Sequence, residues 1–398
     1  MENDREDCAA EARRHTTTQK SAKAEAPRLL NYIKHNKYGK LSTDCFLKLF
    51  LVALGNRTAF RKEGFMIPEA KTAAVGRALQ EAFGVNESED IRMLTAGLSS
   101  ALVFRIVVRG CPYLLRVITR TDAMNDPTRQ FACMRSAAAA GLAPRVWYTS
   151  TEDRISITDF VEARPFPATE ALALLPLTLK MLHALPPFPR MIVYRDYFDA
   201  LDGYIRKFQD AGILPASETD ELFQLFAGVQ SVYPRHEAEL VSSHNDLKPE
   251  NILFDGARAW LVDWEAAFLN DRYTDLAVAA NFVVTSDAEE EVYLRTYFGE
   301  AVSEYRFARF YLMRQALHMF YAMIFLLLGS SGKPIEPHAE AQDFRNFHNG
   351  IWAGEISLAN AETKLQYGRV HMNQVLRNMR TARFQEALRL LSERHVSA

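Results

Sequence analysis

The chain has 398 residues, 48% apolar and 24% charged, an ordinary globular composition and too long for one small core. Its 47 basic and 49 acidic residues leave a formal charge of −2, which gives no footing for nucleic-acid binding. The four cysteines (Cys8, Cys45, Cys111, Cys133) are scattered without paired spacing and read as reduced free thiols of a cytoplasmic protein.

In chain order, residues 1–27 are polar and poor in large apolar groups, and predict a disordered tail without the apolar stretch of a signal peptide. Leu29 to Leu54 reads as mostly helical, with Phe46, Leu49, Phe50, Ala53 and Leu54 as an apolar stripe; residues 28–66 form a helical extension whose role the sequence leaves open. Pro68 to Phe83 is a firmer helix, opened by proline and closed by Gly84. Leu102–Val108 and Tyr113–Ile118 read as strands around Arg109-Gly110-Cys111-Pro112, a hairpin signature. Asp126 to Ala140 is an Ala-rich helix ended by Gly141 and Pro144. A strand over Arg154–Phe160 leads into the connector Val161-Glu162-Ala163-Arg164-Pro165. From Ala168 onward the pattern is mainly helical, and its longest apolar run, Met319 to Leu328, is too short to span a bilayer and predicts a core helix. The fold class expected is α+β and bilobal: a small β-rich N-lobe over 67–162, then a large, mainly helical C-lobe over 163–398.

One stretch interrupts the helices. Ser243 to Asp275 reads SHNDLKPENILFDGARAWLVDWEAAFLNDRYTD. A turn ends in Asp246, Asn251 follows, and the strands Asn251–Phe254 and Ala259–Val262, joined at Asp255-Gly256, bring Asn251 and Asp263 to the same end of a hairpin. Phosphoryl transfer asks for these groups: a carboxylate to orient an attacking hydroxyl, and an amide with a second carboxylate to hold Mg²⁺ on nucleotide phosphates. An isolated carboxylate after an apolar strand is costly to bury, so a metal explains Asp263 better than a chance ion pair.

On these residues the chain resembles the aminoglycoside phosphotransferase and choline/ethanolamine kinase superfamily, which has a protein-kinase-like fold, from about Ala70 to roughly Tyr321. His244-Asn245-Asp246-Leu247 with Asn251 is similar to its catalytic loop, and Asp263-Trp264-Glu265 to its metal-binding segment. Thr95-Ala96-Gly97-Leu98-Ser99-Ser100 resembles its nucleotide loop, where small side chains let backbone N–H groups approach phosphate. The resemblance implies ATP and Mg²⁺ as cofactors, Asp246 as catalytic base, and Asn251 and Asp263 as metal ligands. It implies Gly97, Ser99, Ser100, Arg116, Asp159 and Val161 on the nucleotide, Asp275 as the brace of the catalytic loop, and an architectural His244. Arg116 stands where most kinases place lysine, as choline kinases tend to. The helix that should supply a glutamate to that cation has no acid between Asp126 and Glu152; Gln130 falls nearest, and Asp122 or Asp126 are the substitutes.

Several readings stay open at this level. Glu265 is either a neighbour of the metal or a structural partner, and Lys248 either touches phosphate or lies in a solvated turn. The acceptor implied is a small polar molecule with a hydroxyl, of choline or ethanolamine type, met by aromatic residues such as Tyr321 and Trp352. An aminoglycoside or sugar would call instead on acids such as Asp343, near Glu336 and Glu340. The missing helix glutamate also admits a nucleotide-binding pseudokinase. Absence of a Gly-x-Gly-x-x-Gly loop and of Ala-Pro-Glu argues against a protein kinase.

Overall fold

A computed structural model describes residues 67–94, 101–120, 125–191, 196–337 and 340–395. The tail, the helical extension, the small-residue loop with Gly97, Ser99 and Ser100, and Asp122 lie outside the described residues.

The N-lobe is a five-stranded antiparallel sheet in the order β1-β2-β3-β5-β4. Its strands are β1 (Asp90–Met93), β2 (Ala101–Val108), β3 (Cys111–Ile118), β4 (Val146–Ser150) and β5 (Ile155–Asp159). Helix α1 (Glu69–Phe83) packs across β4 and β5. Its C-terminus is closed by Gly84, whose φ of 71° is open to glycine and whose N–H reaches Gln80 O at 2.9 Å. The β2–β3 turn is tighter than the sequence suggests. Val108 pairs with Cys111 across the two residues Arg109 and Gly110, at φ 52° and 76°, the signs a type I′ turn demands. Cys111 and Pro112 thus belong to β3; Pro112 is tolerated because β5 pairs only from Tyr113↔Asp159 onward.

Strand periodicity sorts β3. Leu115 and Val117 face α1 in a core with Val75, Leu79, Phe104, Ile106, Ile155 and Ile157, each large side chain contributing about 1.5–3 kcal/mol by burial. Arg116, between them, points to the opposite face, beneath which lies helix α2 (Pro127–Ala139). Asp126 caps α2 by accepting from the Thr128 N–H at 2.9 Å.

The C-lobe holds α3 (Ala168–His183), α4 (Tyr197–Asp210), α5 (Ala216–Val232), α6 (Arg272–Val283), α7 (Asp287–Phe298), α8 (Glu304–Ser330), α9 (Phe344–Trp352), α10 (Ala361–Met379) and α11 (Ala382–His395). Helix α8 is long and apolar enough to cross a membrane by length and composition, but 89% of its apolar window is buried inside the lobe. It carries the lobe's core against α4, α6, α10 and α11. Glycine sets how closely α8 and α10 approach: a Cβ on Gly368 would stand 2.8 Å from the Leu326 backbone nitrogen, and one on Gly329 would stand 2.7 Å from that of Leu365. Two short sheets lie on the face toward the N-lobe: β6 (Leu240–Ser243) with β9 (Phe268–Asp271), and β7 (Ile252–Phe254) with β8 (Ala259–Leu261). The connector docks where the Arg164 N–H reaches Phe254 O at 2.7 Å.

Candidate active site

The loop between β6 and β7 is shaped by backbone bonding to a buried carboxylate. Asp275, in the first turn of α6 and fully buried, accepts from the His244 N–H at 2.8 Å and from the Asn245 N–H at 2.7 Å. His183 Nε2 lies 3.2 Å from the same carboxylate, its other nitrogen 2.6 Å from the Tyr297 hydroxyl. Asn245 sits at φ 65°, which asparagine tolerates, and its amide donates to Ala266 O at 3.0 Å. His244 Nε2 is 3.0 Å from Val262 O and its ring packs on Trp264 at 4.8 Å, so the residue joins the loop to the strand end that carries Asp263.

The chain reversal at Asn245 delivers Asp246, 5% exposed. The Asn251 amide nitrogen donates to Asp246 Oδ2 at 2.8 Å and to Asp246 O at 2.9 Å. Lys248 Nζ stands 3.3 Å from Oδ2 and is itself buried, not a solvated turn lysine. Burial pushes the Asp246 carboxyl above the usual aspartate range, and Lys248 and His244 only partly oppose it. The Val262 N–H to Asn251 O bond, 3.0 Å, closes the base of the hairpin and puts Asn251 beside the β8 exit. There Asp263, at φ 66°, turns off the strand.

Arg116 Nη1 meets Asp263 Oδ1 at 2.5 Å and its Nη2 meets Glu265 Oε2 at 3.0 Å. Burial works against charge on Asp263, but Arg116 and Lys248 outweigh it and hold that carboxyl below its usual range. Burial alone would lower Arg116; Asp263 and Glu265 reverse the sign. This corrects the expectation for the helix. Gln130 and Asp126 do not hold Arg116: Asp126 is a helix cap, and the cation's carboxylates come from Asp263 and from Glu265, whose side chain is 1% exposed.

 The Glu265 side chain is enclosed rather than solvated, and in this state it serves Arg116.

A hard cation fits the donors present. Among the described residues no three His, Cys, Asp or Glu side chains converge as an all-protein cage; Mg²⁺ does not need one, since it is typically held by one or two carboxylates together with substrate phosphates. With its nitrogen committed to Asp246, the other end of the Asn251 amide is the carbonyl oxygen, the atom such a cation takes, and Asp263 supplies the carboxylate.

The remaining candidates fall in different places. The Asp159 carboxylate accepts from the Trp147 indole at 2.6 Å and its N–H is bonded to Arg145 O at 2.9 Å, so it is tied into the N-lobe sheet; Val161 follows in the connector, half-buried. Tyr321, on α8, is buried beside the loop that carries Asp246. With Tyr197, Phe320 and Asn245 it lines a cavity of about 10 Å³, room for one water. Burial first, then the charges of Tyr367 and Asp246, push its hydroxyl well above the ordinary range. Trp352 and Asp343, the other acceptor candidates, each have structural partners. The Trp352 indole donates to Phe166 O at 2.9 Å and packs on Phe166 and Phe282, and Asp343 caps α9 through the Arg345 and Asn346 N–H groups at 2.9 and 3.0 Å.

Two residues escaped the sequence reading. Arg129, in the first turn of α2, donates to Ala267 O at 2.7 Å and to Glu265 O at 2.9 Å. A cation at a helix N-terminus runs against the macrodipole, and that was the one available signal. Tyr367, buried on α10, also feels the charges of Glu250 and Asp246; nothing in the sequence around it marks it.

With fold and site described, the class is defined: the chain belongs to the phosphotransferase enzyme family, which it matches over residues 90–311, more than half its length. It is 31% identical to protein LicA of Haemophilus influenzae over 104 residues, 26% of this chain and 36% of LicA, so it matches little more than a third of that relative's length. Among solved structures it is similar to a choline/ethanolamine kinase family protein of Mesorhizobium loti, with TM-score 0.57 and 21% identity over 81% of this chain and 99% of the other. It is also similar to an ethanolamine kinase of Plasmodium vivax (TM-score 0.51, 15% identity, 82% and 93% covered). A putative aminoglycoside phosphotransferase of Ralstonia eutropha gives TM-score 0.53 at 12% identity, with 79% and 98% covered. At these identities the likeness is one of fold, and the fold is kinase-like.

Proposed function

We propose that this protein transfers the γ-phosphoryl group of ATP, with Mg²⁺, to a hydroxyl of a small polar acceptor of choline or ethanolamine type. The observation that carries the reading is the grouping of Asp246, Asn251 and Asp263. Asp246 is buried and oriented by the Asn251 amide at 2.8 Å, beside a carboxylate and a cation that a nucleotide would engage. A binding-only protein has no use for the first of these, which argues against a pseudokinase.

In this reading Asp246 accepts the proton of the acceptor hydroxyl as its oxygen attacks the γ-phosphorus, and the bond from that phosphorus to the ADP oxygen breaks so that ADP leaves. Asn251 and Asp263 would hold the metal, which would neutralise the charge that develops on the transferred group. Arg116 offers Nη donors to the same phosphates. Lys248, 3.3 Å from Asp246, partly offsets the burial that raises this carboxyl. The fold likeness to the Mesorhizobium loti and Plasmodium vivax proteins supports a choline or ethanolamine acceptor, as do the aromatic Tyr321 and Tyr367 near Asp246. The second reading, an aminoglycoside acceptor, draws on the Ralstonia eutropha likeness.

The test is ATP consumption by the purified full chain with choline, ethanolamine, kanamycin and simple sugars, each repeated in Asp246→Asn. Turnover with choline or ethanolamine, lost in the variant, is the expected result. Turnover with kanamycin alone transfers the assignment to the second reading, and none with any acceptor removes both.

A further inference from the structure

Helix α2 brings no carboxylate to Arg116, yet it is fastened to the same place through the opposite charge. Arg129 is 5% exposed, and its guanidinium bridges two backbone carbonyls, Ala267 O at 2.7 Å and Glu265 O at 2.9 Å. These carbonyls belong to the short turn Trp264–Ala266 and the residue after it, against which α2 packs. The turn in its place presents the Glu265 carboxylate to Arg116 Nη2 at 3.0 Å. Two acceptors in fixed positions suit a planar fork of donors and not a lysine, whose ammonium is a point charge on a flexible stem. Arg116 is then held by two groups of unequal use. Asp263, on Nη1, is also the carboxylate expected at the metal, whereas Glu265, on Nη2, is fully enclosed.

Resting on the kinase reading above, we propose that Arg129 and Glu265 are positioning residues for Arg116. Arg129 fixes the turn by its carbonyls, Glu265 holds Nη2 throughout, and Nη1 exchanges Asp263 for a phosphate oxygen when nucleotide arrives. Glu265 on this account serves the cation rather than the metal.

The experiment is calorimetric titration of the full chain with ADP in EDTA and again with Mg²⁺, for wild type, Arg116→Gln, Glu265→Gln, the double variant and Arg129→Lys. In EDTA, Arg116→Gln and Glu265→Gln are each expected to weaken ADP about tenfold, the size of one lost charge-assisted bond. The double variant is expected to bind no more weakly than Arg116→Gln, because Glu265 acts only through that residue. Arg129→Lys, which keeps the charge but loses the fork, should move ADP affinity in the same direction with the protein still folded by its melting curve. Additive losses in the double variant, or a Glu265→Gln effect confined to the titration with Mg²⁺, overturn the proposal while leaving the kinase reading intact. A wild type that binds no ADP in either buffer overturns both.

Discussion

Asp246 holds its proton to higher pH than a surface aspartate because the fold removes its carboxylate from water while Lys248 restores only part of the loss. A base must be ionised, so the acid limb of the kcat profile should lie above about pH 4, the ordinary aspartate value. Lys248→Met, which removes the opposing charge, should move that limb further up; a limb unmoved or lowered would detach Lys248 from the base. The sign for stability follows from the same shift. A carboxyl raised in the folded state stabilises the fold fully below its unfolded pKa, and that contribution is lost as pH rises through the folded one. Asp246→Asn should therefore melt no lower than wild type at pH 8, retain nucleotide affinity within a few-fold, and lose about 10²–10⁴ in kcat. A lower melting point, or turnover near wild type, contradicts the assignment. The grouping of Asp246, Asn251 and Asp263 was legible in the sequence because the hairpin dictates their spacing. Arg129 was not, for a physical reason: its partners are carbonyls 136 and 138 residues away, and a backbone oxygen leaves no mark in sequence.

At the scale of elements, the loop that carries Asp246 depends on one buried side chain of α6. Asp275 satisfies the His244 and Asn245 N–H groups, and removing it strands one buried and one half-buried donor and the His183 ring. Losing one partner of such a group costs about 1–3 kcal/mol per stranded donor. Asp275→Ala is thus expected to lower urea stability by roughly 2–5 kcal/mol and to cut kcat as the loop loosens; a stable, fully active variant would deny the brace. The hairpins and α2 were legible because their ends carry local chemistry, such as Arg109-Gly110 in the left-handed region and Asp126 as a cap. The close crossing of α8 and α10 was not. Helix α8 is buried almost all round, so its periodicity is lost, and the glycines that admit its neighbour are ordinary helix residues until that neighbour is known. Gly368→Ala would drive a methyl to 2.8 Å from the Leu326 nitrogen, an overpacking cost of about 1–3 kcal/mol measurable by urea titration. An unchanged midpoint would show that the helices can part freely.

The proposed acceptor contacts would belong to the whole molecule, because no single segment supplies them. Tyr197 comes from α4, Asn245 from the loop after β6, and Phe320 with Tyr321 from α8, and together they line the water-sized cavity against the loop that carries Asp246. The two lobes could be read in the sequence from the change of pattern after the connector, but this convergence could not, since Tyr321 looks like any other apolar position in its helix. A quaternary ammonium offers no hydrogen-bond donor and must be met by aromatic faces, each desolvated contact contributing on the order of 2 kcal/mol. Tyr321→Leu keeps apolar volume while removing the π face, so KM for choline should rise roughly 30-fold. Trp352→Leu should leave that KM unchanged, because its ring is spent on Phe166 and Phe282. Asp343→Ala should cost about 1 kcal/mol of stability as a lost helix cap and nothing in KM. If Tyr321→Leu binds choline as wild type does while Asp343→Ala raises KM for kanamycin, the acceptor is a polyamine met by carboxylates, and the aromatic wall is core alone.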